Sequence, residues 1–414
     1  MKNTKIMWYS FFGKCILIVI ILTGQPFSSW AQWATVTNEG EVATAERIFY
    51  RGNRAFREKN YDAAILYYNR AIRMDDTYTK AYNKRGMCYL EKDEFDQAME
   101  EFNHLLELQP RSEDGYNNRG IVFKKQKKYD EAIRDFEKAL VLNSKFAEAR
   151  YNLGLTYQEQ KQYPAAIQQF SKAIRINNLY GKYYYERGIT YRLSEDYENA
   201  ILDFDTVLTL GSDDGEAFRE RGFAYLELDE FELAIEDFDE AILFDSTNAF
   251  LWNGRGFAYD ELGEYEQALS DYSRCIELDA TFTESLNNRG IILDMQGQHE
   301  AAISDFSKAI ELNFRNPSFA YNNRANAYRK LKQYAAAKKD VKESIALNPD
   351  NGWAYATRAM IHADEGNESL FFENMEIAME KPIPYNLKER LPLEKTLQKY
   401  KDDPRLLKFL EKEE

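Results

Sequence analysis

Seven arginines in this sequence are each followed, sixteen residues on, by a carboxylate: Arg85 by Glu101, Arg119 by Asp135, Arg187 by Asp203, Arg221 by Asp237, Arg255 by Asp271, Arg289 by Asp305 and Arg324 by Asp340. The chemistry open to such pairs is bidentate ion pairing. Where the arginine gives way to Leu153, the partner position becomes the neutral Gln169, while Arg51 and Arg358 stand opposite Tyr67 and Asn374. The expectation is a bridge between the two helices of a unit or between adjacent units. The competing reading leaves both groups solvated, with the arginine stem covering apolar surface. Catalytic chemistry finds much less. His104, His299 and His362 are far apart, and none has a nucleophile at a motif spacing. No cysteine and histidine cluster has zinc-ligand spacing, and Asp213-Asp214-Gly215 lacks the alternating acids of a calcium loop. No glycine-rich phosphate loop occurs. The residues point to no enzyme, no metal and no cofactor.

What positions the charged pairs is a repeat. Stepping from Gly256 by 34 residues lands on Gly222, Gly188, Gly154, Gly120, Gly86 and Gly52 in one direction and on Gly290 in the other. A step of 35 then reaches Ala325, and a last step of 34 reaches Ala359. Twelve residues after each marker stands an alanine, Ala64, Ala98, Ala132, Ala166, Ala200, Ala234, Ala268, Ala302 or Ala337, and Phe371 alone breaks the series. Ten registers in phase are the signature of stacked supersecondary units.

Within a unit, Ile133, Phe136, Ala139 and Leu140 are spaced three and four apart, which marks one buried helix face. An earlier helix carries Tyr116, Gly120 and Phe123, and the polar run Lys124 to Lys128 separates the two. Helix, turn, helix is the unit. A glycine inside a helix costs roughly 0.5–1 kcal/mol against alanine, so eight of them imply a close helix approach. The alanine twelve residues later is the expected counterpart at that crossing.

The chain ends differ from the repeat. Lys2 and Lys5 precede an apolar run from Cys15 to Leu22, and Ser29-Trp30-Ala31 supplies small residues for a signal peptidase, so residues 1–31 read as a cleaved secretory signal. An uncleaved N-terminal membrane anchor is the alternative, although the apolar run is short for a span. Cys15 is badly placed for a lipoprotein site, and no lipid anchor is expected. Residues 32–44 read as a short tether, and 386–414, with Leu387, Leu391, Leu397, Leu406, Phe409 and Leu410, as an amphipathic helical cap. The net charge of −15 grows once a signal holding three lysines and no acid is removed, which disfavours nucleic acid and anionic surfaces. Cys88 and Cys275 lie in different repeats and are expected to pack as small apolar residues without a disulfide.

The aromatic, glycine, aromatic, alanine, aromatic pattern of Trp252, Gly256, Tyr259, Ala268 and Tyr272, copied over residues 45–385, resembles the tetratricopeptide repeats. Two departures are visible: the leucine expected before the glycine is arginine in nine copies, and the proline near the unit's end survives as Pro110 and Pro349. The resemblance implies an all-α fold, a right-handed superhelical solenoid of tandem antiparallel helix pairs. Its ten units begin near residues 45, 79, 113, 147, 181, 215, 249, 283, 318 and 352.

The resemblance also implies a concave groove lined by each unit's first helix, which binds a protein segment. The slots are Asn83, Asn117, Tyr151, Tyr185, Arg219, Asn253, Asn287 and Asn322, followed by Asn118, Asn152, Asn288 and Asn323. Asparagine is a poor helix-interior residue, yet its amide donates and accepts at once, which suits an extended peptide backbone. The competing reading has these amides bond within the array or to water. One turn further the groove becomes apolar at Ile121, Leu155, Ile189, Phe223, Phe257 and Ile291; Ile189, Phe223 and Phe257 count as candidate partner contacts, and some of the strip is expected to be shared with the core. With Glu216, Glu220, Glu227, Asp260 and Glu261 nearby, the partner is expected to be neutral or basic with apolar side chains. Lys124, Lys125, Lys127 and Lys128 read as a solvated turn. Basic slots for gripping acidic tails are largely missing: Phe49, Asn118 and Glu186 occupy them, and Asn53 and Lys182 alone fit. The expected function is that of an exported, non-enzymatic scaffold in the periplasm or cell envelope. The alternative is an architectural subunit that uses its convex face or its ends.

Overall fold

The computed structural model describes residues 44–211, 214–381, 400, 403–405 and 407. The proposed signal, the tether up to residue 43 and most of the 386–414 cap lie outside the described residues. The described residues are all-α and form two compact units that divide between residues 143 and 144. In the first, α1 (Ala45–Arg57), α2 (Tyr61–Met74), α3 (Thr79–Glu91), α4 (Phe95–Leu108), α5 (Glu113–Lys125) and α6 (Tyr129–Leu142) pack as three antiparallel pairs. The second begins with the pairs α7 (Ala147–Glu159) and α8 (Tyr163–Ile176), α9 (Gly181–Leu193) and α10 (Tyr197–Thr209), and α11 (Asp214–Glu227) and α12 (Phe231–Phe244). It continues with α13 (Ala249–Glu261) and α14 (Tyr265–Leu278), α15 (Thr283–Met295) and α16 (His299–Glu311), α17 (Pro317–Lys330) and α18 (Tyr334–Leu347), and α19 (Gly352–Asp364) and α20 (Glu368–Glu380).

Each pair is joined by a three-residue turn whose middle residue has positive φ. Lys59, Asp93, Lys127, Lys161, Glu195, Asp229, Gly263, Gly297, Lys332 and Gly366 hold this one register, with φ between 55° and 80°. The left-handed conformation carries a steric cost for any residue but glycine, and here seven side-chain residues accept it. The packing on both sides fixes the turn more firmly than local preference does. The lysine cluster at 124–128 surrounds one such turn, with Lys125, Lys127 and Lys128 exposed.

The crossing of each pair is made by a residue other than the expected alanine. Ala64, Ala98, Ala132, Ala166, Ala200, Ala234, Ala268, Ala302 and Ala337 are wholly buried. The atom that needs the glycine, however, is the tip of the aromatic ring sixteen residues on. A Cβ on Gly86 would stand 2.7 Å from Phe102 Cε1, one on Gly120 2.7 Å from Phe136 Cε1, and one on Gly188 2.9 Å from Phe204 Cε1. Where the marker is Ala325 or Ala359, the residue sixteen on is Val341 or Met375, smaller or more pliable than a ring. Ring size and the missing Cβ are thus complementary volumes in a close-packed core.

Within each unit, first helices of successive repeats touch, as α3 with α5 and α11 with α13, and among the described residues no two second helices pack as closely. Within each unit the first helices are therefore the inner set. At the far end, Tyr400 stacks on Phe371 at 4.7 Å, and Arg405 lies 3.6 Å over the Phe372 ring.

Candidate functional site

The arginine before the marker residue, at 119, 187, 221, 255, 289 and 324, reaches both the second helix of its own repeat and that of the preceding one. Arg187 directs Nε and Nη2 to the two carboxylate oxygens of Asp203 at 2.8 and 2.7 Å, and Nη1 donates to Ser171 Oγ at 2.8 Å. Asp203 lies on the same repeat's second helix, and Ser171 on the preceding repeat's. Arg289 repeats the geometry with Asp305 and Ser273, Arg324 with Asp340 and Ser307, and Arg119 with Asp135 and Asn103. In Arg221 and Arg255 the third arm meets a second acid, Asp205 or Asp239. Arg85 bonds Glu101 and Asn69.

The guanidinium also lies over aromatic rings three residues before and four after it, as Arg255 does 4.9 Å from Trp252 and 5.9 Å from Tyr259. Of the two placements expected for the arginine and the acid sixteen residues on, the one within a repeat is found; the tie to the preceding repeat is made by the arginine's third arm to a different residue. Desolvation by burial pushes the Asp203, Asp237 and Asp271 carboxyls above the usual carboxylate range, against the opposing pull of their arginines. This is the signature of a clamp that stabilises modestly when whole and costs much when broken.

The predicted groove residues fall into two groups. Asn117, Asn118, Tyr151, Asn152, Asn287 and Asn322 are buried, whereas Asn83, Tyr185, Ile189, Arg219, Phe223, Asn253, Phe257, Asn288 and Asn323 are half-buried. Many of the amides bond from first helix to first helix: Asn118 Nδ2 donates to Asn83 Oδ1 at 2.8 Å, Asn323 Nδ2 to Asn287 Oδ1 at 3.2 Å, and Ser285 Oγ to Asn253 Oδ1 at 2.8 Å. Asn288 Nδ2 donates to the Tyr272 hydroxyl at 3.3 Å. The tyrosine slots bond acids in the next repeat, Tyr151 to Glu186 at 3.3 Å and Tyr185 to Glu216 at 3.2 Å. Arg219 is held by Glu216 and Glu220. The buried Asn322 Oδ1 has no partner among the described residues. Phe223 and Phe257 turn ring edges to Phe238 and Phe231 at 5.1 and 6.5 Å, so the apolar strip is shared with the core.

Sequence spacing gave no sign of a cavity of about 330 Å³ among α11, α12 and α13, lined in part by Arg219, Phe244 and Leu251. One signal does mark it: Phe244 stands where other repeats carry Leu108, Leu142, Ile176, Leu210 and Leu278. The two cysteines are buried free thiols, and burial pushes Cys88 up to about 12 and Cys275 to about 11, far from a reactive thiolate. His299 is paired with Asp294 at 2.7 Å, and His104 packs on Tyr82. Among the described residues no group of three metal-ligating side chains is assembled, and no helix is long and apolar enough to cross a membrane.

Family comparison decides what this architecture is. A model described as TPR repeat matches residues 122–161, and models described as tetratricopeptide repeat match 55–117, 147–178, 185–249, 249–282, 283–316 and 318–351, together more than half of the chain. The chain belongs to the tetratricopeptide repeat family. Curated proteins give no match. Among solved structures, the C-terminal part of a TPR repeat-containing protein from Cytophaga hutchinsonii is 20% identical over 58% of this chain and 98% of that one, with a TM-score of 0.47. A tetratricopeptide repeat protein from Parabacteroides merdae is 20% identical over 59% and 97%, with a TM-score of 0.44. YrrB, described as a TPR protein with an unusual peptide-binding site, is 22% identical over 43% and 92%, with a TM-score of 0.39. Tetratricopeptide repeat proteins are in general non-enzymatic interaction scaffolds, and the repeats of this chain mark it as a protein-interaction scaffold.

Proposed function

We propose that the protein is an exported scaffold that holds an extended, neutral or basic partner segment along its first helices. The observation that carries this reading is the row of amides on the inner helices. In the pairs Asn118–Asn83 and Asn323–Asn287, the bond shown uses one N–H and one lone pair, whereas a carboxamide has two of each. The remaining capacity, on half-buried Asn83 and Asn323, suits a peptide backbone. Export rests on the lysines, apolar run and small residues of the first 31 positions. Exposed Leu66, Leu202 and Leu233 on second helices favour the second reading, an architectural subunit that docks through its outer face.

Crosslinking in an envelope fraction compares the wild type with the variant carrying Asn118→Ala, Asn152→Ala, Asn288→Ala and Asn323→Ala. A partner lost in the variant is the expected result; a partner retained there and lost in Leu202→Asp selects the architectural reading. Intact mass gives the export test: a mature chain starting at Gln32 is expected, and an unprocessed chain in the soluble fraction removes that part of the proposal.

A further inference from the structure

The cavity of about 330 Å³ has two kinds of wall. Its floor is apolar: Ala241 and Leu251 are buried, and the Phe244 ring, 61% exposed, stands as the outer side. Its rim is charged, with Glu216 and Arg219 on α11 and Asp245 just past α12. Gly215 allows this arrangement, because a Cβ there would stand 2.7 Å from Phe244 Cβ and push the aromatic wall aside. Leu243 and Phe250, next in sequence to the lining residues Phe244 and Leu251, are 78% and 60% exposed. The Phe244 ring lies beside that of Phe218, with centroids 6.4 Å apart and planes 29° from parallel.

The rim is negative on balance. Arg219 is engaged by Glu216 and Glu220, and Glu220 also meets Arg192 at 2.9 Å, so these two arginines are matched before Asp245 is counted. Asp245 accepts from the Thr247 backbone N–H at 3.0 Å and from its hydroxyl at 2.7 Å. The volume of about 330 Å³ lies at the lower end of the roughly 300–1,000 Å³ typical of ligand pockets.

We propose that this cavity seats one aromatic or aliphatic side chain of a partner protein's extended segment, and that a lysine or arginine beside that side chain faces Glu216 and Asp245. The proposal rests on the reading of the first-helix face as a peptide groove, to which Glu216 and Arg219 belong, and gives that groove an anchor position. A buried apolar anchor with a charged rim is the usual arrangement of an interface hot spot, and charge complementarity at the rim sets partner choice.

The test titrates fluorescein-labelled peptides of sequence Ser-Gly-Lys-X-Lys-Gly-Ser, with X as Phe, Leu, Ala or Glu, against the full chain by fluorescence anisotropy. The Phe and Leu peptides should bind about ten-fold tighter than the Ala peptide. Phe244→Ala, at an exposed position, should abolish that preference, and Glu216→Lys should weaken the lysine-flanked peptides about five-fold and flatten their salt dependence. Equal affinity for the Phe and Ala peptides, or a preference untouched by Phe244→Ala, overturns the anchor. The combined Asn287→Ala and Asn323→Ala variant separates the two readings. Peptides that ignore X but need these amides leave the groove standing and remove the cavity. A preference that needs Phe244 and ignores these amides keeps the cavity and removes the amide row. No binding by any of the peptides overturns both.

Discussion

The repeats built on Leu153 and on Arg187 are neighbours in the same unit and solve one packing problem in two ways. In the first, Leu153 is 2% exposed against a second helix whose matching residue, Gln169, is nearly buried. Among the described residues Gln169 Nε2 reaches only the adjacent Gln168, at 3.4 Å, and its Oε1 has no hydrogen-bond partner. In the second, Arg187 joins three helices, bonding Asp203 on α10 and Ser171 on α8 from its place on α9. Helix pairing does not depend on the clamp, since α7 and α8 pack as closely as the other pairs. What arginine adds is a tie to the preceding repeat, which leucine, having no directional bonds, cannot make. The neutral residue at 153 goes with a neutral residue at 169, because a buried carboxylate without its arginine would carry the whole desolvation cost.

The largest effect should come from breaking one clamp while leaving its charge behind. Asp203→Ala strands Arg187 and should lower stability by about 3–5 kcal/mol, whereas Gln169→Ala in the neighbouring repeat should cost no more than about 1–2 kcal/mol. Urea unfolding followed by circular dichroism measures both, and equal losses would erase the distinction between the repeats. Next in size is the glycine contact that the two repeats share. Gly188→Val should cost about 1–3 kcal/mol by driving into Phe204, and Gly188→Ala combined with Phe204→Val should recover most of the loss, as in the natural pair of Ala325 and Val341. An unshifted thermal midpoint in Gly188→Val would show that the ring does not need the space. The smallest change is a transplant: Arg187→Leu with Asp203→Gln copies the Leu153 solution and should cost less than about 1.5 kcal/mol, because no charge is left unpaired. A loss as large as that of Asp203→Ala would mean that the tie to Ser171, and not charge burial, dominates.

Much of this was legible from spacing. A marker every 34 residues places the helix pairs, because a stacked unit must bury the same face each time. The interval of sixteen between Arg187 and Asp203 announces their bridge, since both residues change together at Leu153 and Gln169. The sequence alone thus determined the helices, their pairing and the identity of the clamp residues, all of which follow from local periodicity. Other features required three dimensions. The third arm of each arginine, to Ser171 or Asp239, crosses a repeat boundary and gives no pattern beyond a polar residue. The ring opposite each glycine, rather than the nearby alanine, was decided by how far an aromatic tip reaches across the crossing. The asparagines show the divide most clearly. Their positions were readable, but whether an amide bonds its neighbour or an incoming chain depends on distances between helices. The cavity beneath Phe244 likewise exists only where α11, α12 and α13 meet. A volume between three helices is set by how they pack against one another, and no spacing along the chain records it.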